Sequence, residues 1–329
     1  MDAIHKNQSK IIENFTNKKI LVLGDILVDK YITGDASRIS PEAPVVIVNV
    51  KNERYVPGGA SNVANNLAAL GANPFLSGVI GGDIVGRKFL DDLNESNIDT
   101  DFVAIDGTRS TIVKTRVIAS HQQLLRFDYE QKQNVSKDIE ETVTDLIKKN
   151  AGAFDAVVIS DYEKGFLSPC LIRRTISLSH KAKNAVIAGP KPNNIKAYAG
   201  CDVISLNRSE AAKCGELLNF RQNLPIEKIG SLLLEKLKLK AILITLSEKG
   251  MLLTEERRQI TIPACAKEVY DVTGAGDTVV AAFSLSIAAG ADFEAGARIA
   301  NKAAGIVVGK VGTATVSREE LKSHSEQVK

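Results

Sequence analysis

The side chains with the most chemistry to offer lie in residues 268–290. Asp271 is followed by Thr273, Gly274, Ala275, Gly276 and Asp277, then by Thr278 and an almost wholly small or apolar run to Ala289. A short apolar segment reaches Asp271, the chain turns through Gly274–Gly276, and a buried helix is expected to begin near Asp277. The first amides of a helix have no internal partner and sit at the positive end of its dipole, which suits an anion. Glycines at 274 and 276 let a phosphate approach the backbone without meeting a β-carbon. Asp277 then stands where a carboxylate can take a hydroxyl proton as that oxygen attacks phosphorus. An acid beside an anion cradle is the layout of a phosphoryl-transfer site. Gly-Ala-Gly alone is also an ordinary strand-to-helix turn, and a dinucleotide fingerprint would need a third glycine where the chain has Val279.

Other elements must position that turn. Ile11–Phe15 belongs to a short leading helix, and Ile20–Gly24 reads as a buried strand ending in Gly24-Asp25-Ile26-Leu27-Val28-Asp29. Ligands gather where such strand ends open into a crevice. Two acids there need partners, which a hydroxyl-rich ligand or a turn would supply equally well. Pro41 and Pro44 place Tyr31–Val56 in an edge or lid. Gly58-Gly59 leads into an amphipathic helix that Gly71 ends, with Asn62 in its first turn able to bond sugar hydroxyls and Asn65 and Asn66 expected on its surface. Gly78–Arg87, with Gly81 and Gly86 ahead of Arg87-Lys88, imitates the start of a Walker A loop but lacks its lysine at 87 and a following Ser or Thr, so it is set aside, and Asp83 to about Ser96 suits a helix. Thr111–Ala119 and Gln122–Tyr129 form a hairpin across Ser120-His121. Its cations Lys114, Arg116 and Arg126 either blunt an exposed edge or meet an anionic ligand.

From Phe154 strands (154–160, 185–188, 201–206, 241–246) alternate with helices (168–182, 208–219, 226–237), which predicts right-handed βαβ crossovers and a parallel sheet. Asp161, Gly189-Pro190-Lys191, Asn207–Glu210 and Thr245 recur at one edge of it and predict a cleft. A helix over about 293–308, a loop 309–315 and a helix opened by the capping box Ser317-x-x-Glu320 close the chain. The expected architecture is a three-layer α/β/α fold, a single domain over 1–329, with a β lid from roughly 30–57 and 100–130.

Composition excludes several classes. The net charge of +3 rests on 42 basic and 39 acidic residues spread along the chain, too balanced for nucleic acid or a membrane surface. No apolar run is long enough for a membrane-spanning helix, and the polar N-terminus has no signal-peptide core, so cytoplasm is expected. Cys170, Cys201, Cys214 and Cys265 have no Cys-x-x-Cys spacing, and the four histidines form no metal-binding pair, so a directly ligated metal is not expected.

Two separated signatures, Gly58-Gly59-Ala60-x-Asn62 and Asp271–Asp277, together resemble the ribokinase-like (PfkB-type) carbohydrate kinases, over nearly the whole chain after residue 18. Within them the chain resembles the heptose 7-phosphate kinases of ADP-heptose and lipopolysaccharide-core biosynthesis. Those pointers are Gly24-Asp25-x-x-x-Asp29-x-Tyr31, Ser37–Pro44, Gln122-Gln123-Leu124-x-Arg126 and Thr245-x-Ser247-Glu248-x-Gly250-Met251. The resemblance implies ATP as phosphate donor, Mg2+ carried by the nucleotide, and a monovalent cation near Asp271. Asp277 would be the base on the anomeric hydroxyl, and Gly274, Ala275 and Gly276 would hold the transferring phosphate. Asn207, Arg208, Ser209, Glu210, Lys191, Thr245 and Asn301 would serve the nucleotide, with Asn207 and Glu210 acting on Mg2+ through water. Asp29, Arg38, Gly58, Gly59, Asn62, Lys114, Arg116, Arg126 and Asp161 would serve the sugar phosphate. A homodimer through the lid is implied. No histidine begins the His-x-Gly-His of a nucleotidyltransferase, so a separate nucleotidyltransferase and a phosphatase are expected in the pathway.

Two positions depart from the pattern: Gly189 stands where these kinases carry Asp, and Glu163 where they carry Gly. They keep two alternatives open, a kinase for another sugar such as ribose or fructose, and a catalytically silent sensor of nucleotide and sugar phosphate.

Overall fold

The computed structural model describes residues 2–119, 122–266 and 268–327. Helix α1 (Asp2–Glu13) leads into β1 (Lys19–Gly24), a long β2 (Ile26–Ile39), its return β3 (Val46–Gly59) and α2 (Ala60–Ala69). Next come β4 (Asn73–Gly81), α3 (Ile84–Glu95), β5 (Asp99–Asp106), β6 (Val113–Ala119), β7 (Gln122–Tyr129) and α4 (Lys137–Asn150). Then β8 (Ala156–Ser160), α5 (Pro169–Lys181), β9 (Ala185–Gly189), β10 (Val203–Asn207), α6 (Arg208–Leu217), α7 (Ile226–Leu237) and β11 (Ala241–Thr245) follow. An antiparallel pair, β12 (Met251–Glu255) and β13 (Arg258–Ile262), precedes α8 (Ala275–Ala288), α9 (Phe293–Val307) and α10 (Arg318–Gln327).

Nine strands form one sheet in the order β13-β12-β11-β10-β9-β8-β1-β4-β5, parallel from β11 to β5. The last two strands, β12 and β13, run antiparallel. Alternate residues of β1 serve opposite faces: Ile20 and Val22 join one hydrophobic cluster, Leu21 and Leu23 the other. Helices α2, α8 and α9 cover the first face and α4 to α7 the second, which gives the three layers. The expected α/β/α class and βαβ rhythm are both present.

The lid is a separate four-stranded sheet, β3-β2-β6-β7. It starts at Ile26 and excludes β5: residues 100–106, expected in the lid, form the edge of the large sheet. The reason is aromatic packing. Phe102 is buried edge-on against Phe75 of β4 and Phe154, with ring centroids 6.1 and 6.0 Å away, and this ties β5 to the core. Pro41 and Pro44 fall between β2 and β3, consistent with an edge, and the expected turn at Ser120-His121 lies outside the described residues.

Candidate active site

Helix α8 begins two residues earlier than expected, at Ala275, because Gly274 caps it in the left-handed region at φ 80°. A β-carbon on Gly274 would come 2.9 Å from Asn62 Nδ2, so the turn also depends on glycine's size. The amides of Gly274, Gly276 and Asp277 have no partner among the described residues. The Ala275 amide instead donates to the Val272 carbonyl at 3.2 Å, closing the turn. The partner-free amides are therefore those of 274, 276 and 277 rather than those of all three residues 274–276. Beyond Gly276 a β-carbon would meet nothing within 4 Å, which leaves space for an anion.

Asp277 sits half-buried in the first turn of α8. Its Oδ1 accepts the Tyr162 hydroxyl at 2.6 Å and its Oδ2 accepts the Asn62 side-chain amide at 2.7 Å. Burial pushes its carboxyl up to about 6, against the lowering effect of those two bonds and of the Lys191 ammonium. Near neutral pH it is mostly ionised yet more basic than an exposed carboxylate, which suits a general base.

The lid and α2 meet beside Asp277. Asp29 is buried and paired with Arg116 at 2.5 Å. A β-carbon on Gly58 would lie 2.7 Å from Asp29 Oδ2, and one on Gly59 (φ 58°) would lie 2.6 Å from the Asp25 carbonyl. These glycines thus let the lid hinge and α2 close on each other. Asp29, Gly58, Gly59, Asn62 and Arg116 lie together beside Asp277.

Several expected residues do other work. Asp161 is 1% exposed, and its oxygens accept from the Glu163 amide, the Asn194 side chain and the Tyr198 hydroxyl at 2.8 to 2.9 Å. It braces the loop after β8 and has no face toward a substrate. Arg38 lies nine residues along β2 from Asp29, roughly 30 Å at the rise of an extended strand, so it stands exposed at the far end of the lid. Lys114 is tied to Asp128 and Glu130 at 3.2 Å each, and Arg126 to Asp128 at 2.6 Å. The Arg126 bond comes first among the causes that hold the Asp128 carboxyl down at about 2. Lys164 pairs with Glu130.

A cation the sequence reading missed is Arg54 of β3. Its guanidinium lies 5.5 Å from the Tyr31 ring, Arg116 lies 5.4 Å from the same ring, and the Tyr31 hydroxyl is 3.3 Å from that of Thr313. Tyr162 and Asn66 were missed as well, whereas Asp25, one of the two acids expected to need partners at the end of β1, finds them in the turn 162–166. Asn66, expected on the surface, is 0% exposed. It donates to the Asn62 carbonyl at 2.9 Å and accepts the Thr278 hydroxyl at 2.8 Å. Its spacing of four from Asn62, on one helix face, was the available signal.

Asn207, Arg208, Ser209 and Glu210 start α6 at the carboxyl end of β10, and Asn207 is the register partner of Thr245 on β11. Asn207 and Glu210 make a reciprocal capping box at 2.8 and 3.0 Å, and Ser209 donates to Asn207 at 2.7 Å. Lys191 pairs with Glu210 and lies 5.3 Å over the Tyr162 ring, joining this side to the loop that carries Tyr162. Asn301 is not an open pocket wall. It is buried and donates to the Pro263 carbonyl at 2.8 Å and the Cys265 sulfur at 3.2 Å, holding that loop. Asp271 accepts the Thr273 and Gly312 amides at 2.9 and 3.1 Å. Burial raises its carboxyl, but the Thr273 and Gly312 bonds outweigh that and hold it below the usual range.

A three-layer fold whose cleft sets a half-buried carboxylate beside partner-free helix amides is the class of the ribokinase-like kinases. Residues 17–320 match the model of the pfkB family carbohydrate kinases, and the chain belongs to that family. Its fold is that of phosphofructokinase-2 from Escherichia coli, solved in complex with potassium, at a TM-score of 0.74 and 18% identity over 95% of this chain and 100% of that one. The ribokinase of Arabidopsis thaliana, solved with ribose and ATP, superimposes at a TM-score of 0.71 with 19% identity over 94% and 99% of the two chains. Among curated proteins it is 43% identical over 317 residues to the bifunctional protein HldE of Sulfurimonas denitrificans, covering 96% of this chain and 65% of that protein. The HldE of Helicobacter pylori is 42% identical over 305 residues, 92% of this chain and 65% of that protein. The chain thus spans just under two thirds of the length of these relatives.

Proposed function

We propose that the protein transfers the terminal phosphate of ATP to the anomeric hydroxyl of D-glycero-β-D-manno-heptose 7-phosphate, giving the 1,7-bisphosphate. The observation that carries this reading is Asp277, gripped by Tyr162 and Asn62 beside the partner-free amides of Gly274, Gly276 and Asp277. The sugar's anomeric hydroxyl gives its proton to Asp277 as its oxygen attacks the terminal phosphorus. The cradle amides receive the charge on the transferring group, and ADP leaves toward Lys191. Asp29 and Asn62 orient sugar hydroxyls. Asn207 and Glu210 offer the oxygen donors Mg2+ favours, but their capping box and the Lys191 pair commit them, so they fit a role through water. Bound Mg2+ would neutralise and orient the nucleotide phosphates. The ionised Asp271, which ties its loop to Gly312, is where a monovalent cation would act from a distance on α8.

The heptose assignment draws on the Ser37–Pro44 string and on the HldE relatives. That string, with its exposed Ile39, lies at the lid tip beside exposed Val45 and Val46, and we assign this face to a homodimer contact, testable by sedimentation. Among the described residues no helix is long and apolar enough to cross a membrane, and the reading places the enzyme in the cytoplasm. A nucleotidyltransferase activity and a phosphatase would complete the route to ADP-heptose.

The test is a substrate panel with Mg-ATP, following ADP release. Heptose 7-phosphate should be turned over fastest. A clear preference for unphosphorylated ribose or fructose would reject the heptose reading in favour of another sugar kinase. The silent-sensor reading draws on one observation, Gly189 in place of a carboxylate. A β-carbon at 189 would meet only Val280 at 3.7 Å, so Gly189→Asp fits the space. Tight binding of both ligands without ADP release, cured by that substitution, would favour the sensor.

A further inference from the structure

The loop after β8 reaches the base from behind, and it is held by a residue that no part of the proposed reaction uses. Asp25, 2% exposed, accepts the backbone amides of Tyr162, Lys164 and Phe166 at 2.9, 3.1 and 3.2 Å. Three amides converging on one buried carboxylate fix the path of residues 162–166 between β1 and the cleft. That path delivers the Tyr162 hydroxyl to Asp277 Oδ1, while the Lys191 ammonium lies 5.3 Å from the centre of the ring. On the opposite oxygen, Asn62 is itself held by Asn66 at 3.2 Å.

We propose that Tyr162 is the positioning residue of the base, and that Asp25 sets it by clamping the loop that carries it. This rests on the kinase reading above. A carboxylate with one donor on each oxygen cannot rotate, and each oxygen keeps a second lone pair for the incoming hydroxyl. The phenol is a permanent donor: burial, then the nearby Asp277 charge, push its own ionisation well above the ordinary tyrosine range. A bond that only the ionised carboxylate accepts also favours the ionised form. Tyr162 therefore sets both the direction of the base and the pH at which it becomes available. The groups that face Asp277 are Tyr162 and Lys191 from the loops after β8 and β9, Asn62 from α2 and Asp29 from the lid. Glu210 stands behind Lys191 and Arg116 behind Asp29.

Tyr162→Phe removes one oxygen and leaves both the ring and the Asp25 clamp, which acts on the backbone. The direct readout is the carboxyl carbon-13 titration of Asp277 in the ligand-free protein, assigned by its loss in Asp277→Asn. Its midpoint should rise by about one pH unit in Tyr162→Phe, the size expected for one lost bond to a charged group. The acid limb of the kcat profile should move up by the same amount, lowering turnover at pH 6 about five-fold, with the KM for ATP unchanged. An unmoved titration midpoint overturns the proposal. If the wild-type protein turns over no sugar, the kinase reading fails, and the titration still decides what Tyr162 does to Asp277. For the clamp, Asp25→Asn should speed hydrogen exchange at the Tyr162, Lys164 and Phe166 amides; unchanged protection there overturns the role of Asp25.

Discussion

Thr278 donates its hydroxyl to Asn66 Oδ1 at 2.8 Å, although 212 residues separate them in the chain. Through Asn66 the contact continues to Asn62, and from Asn62 to Asp277 in the same first turn of α8 that holds Thr278. The ring of bonds locks α2 against α8, so Asp277 and the Asn62 that bonds it move as one body.

Breaking that ring should cost both stability and turnover. Asn66→Leu keeps the volume but leaves the Thr278 hydroxyl with only its 3.2 Å bond to the Gly274 carbonyl, and it frees Asn62 to rotate. We expect a loss of about 2 kcal/mol in urea denaturation and a larger fall in kcat than in substrate affinity. A variant as active as wild type would show that Asn62 needs no support.

Asp277→Asn should lower turnover by about three orders of magnitude while the protein stays folded. Its stability carries a pH signature. Burial raises the Asp277 carboxyl from 3.8 to about 6, so this group disfavours folding at pH 7, by at most about 3 kcal/mol. As pH falls through 6 the folded state takes up the proton before the unfolded one does, and the penalty is relieved. The variant should therefore melt above wild type at pH 7, by less than the full amount because its amide faces two donors. The gap should narrow as pH falls below 6 and close only below the unfolded value of 3.8. A gap independent of pH would contradict the raised carboxyl.

The two cradle glycines should respond differently to alanine. Gly276 has helical neighbours and open space at its β-carbon, so Gly276→Ala should leave stability unchanged or raise it by up to about 1 kcal/mol, while weakening ATP turnover. Gly274→Ala places a methyl group against Asn62 at φ 80° and should cost about 1 to 3 kcal/mol as well as activity. Thermal melts paired with ADP release separate the two cases.

Arg54 has no acidic partner among the described residues, whereas Lys114, Arg116 and Arg126 each bind a carboxylate. Arg54→Ala should raise the KM for a phosphorylated sugar about ten-fold and leave the KM for ATP alone. Arg126→Ala should do less, because Asp128 already uses that charge. The reverse ranking would move the substrate phosphate toward the β6–β7 hairpin.

Much of the frame was legible in one dimension. Continuous apolar runs separated by turns announced β1 and the strands from β8 to β11, and Ser317-x-x-Glu320 forms its capping box at 2.8 and 3.1 Å. Glycines at 58, 59, 274 and 276 marked the close approaches, since only their backbone geometry and size permit them. The antiparallel pair β12 and β13 and helix α4 went unread, because neither carries a motif and their placement follows from packing on the sheet edge and on α5.

Chain order alone determined the fold class and the family, and it marked the turn from Asp271 to Asp277 as the candidate site, because these depend on local pattern and on residue types at fixed spacing. Tertiary structure decided which polar groups remain available. It spent Asp161 and Asn301 on loops, pulled Asn66 inside, carried Arg38 to the lid tip, and paired Lys114 and Arg126 with acids. The physical reason is that a buried polar group must find a partner, and that partner is chosen by proximity in space, between residues such as Asn62 and Asp277 that lie 215 positions apart.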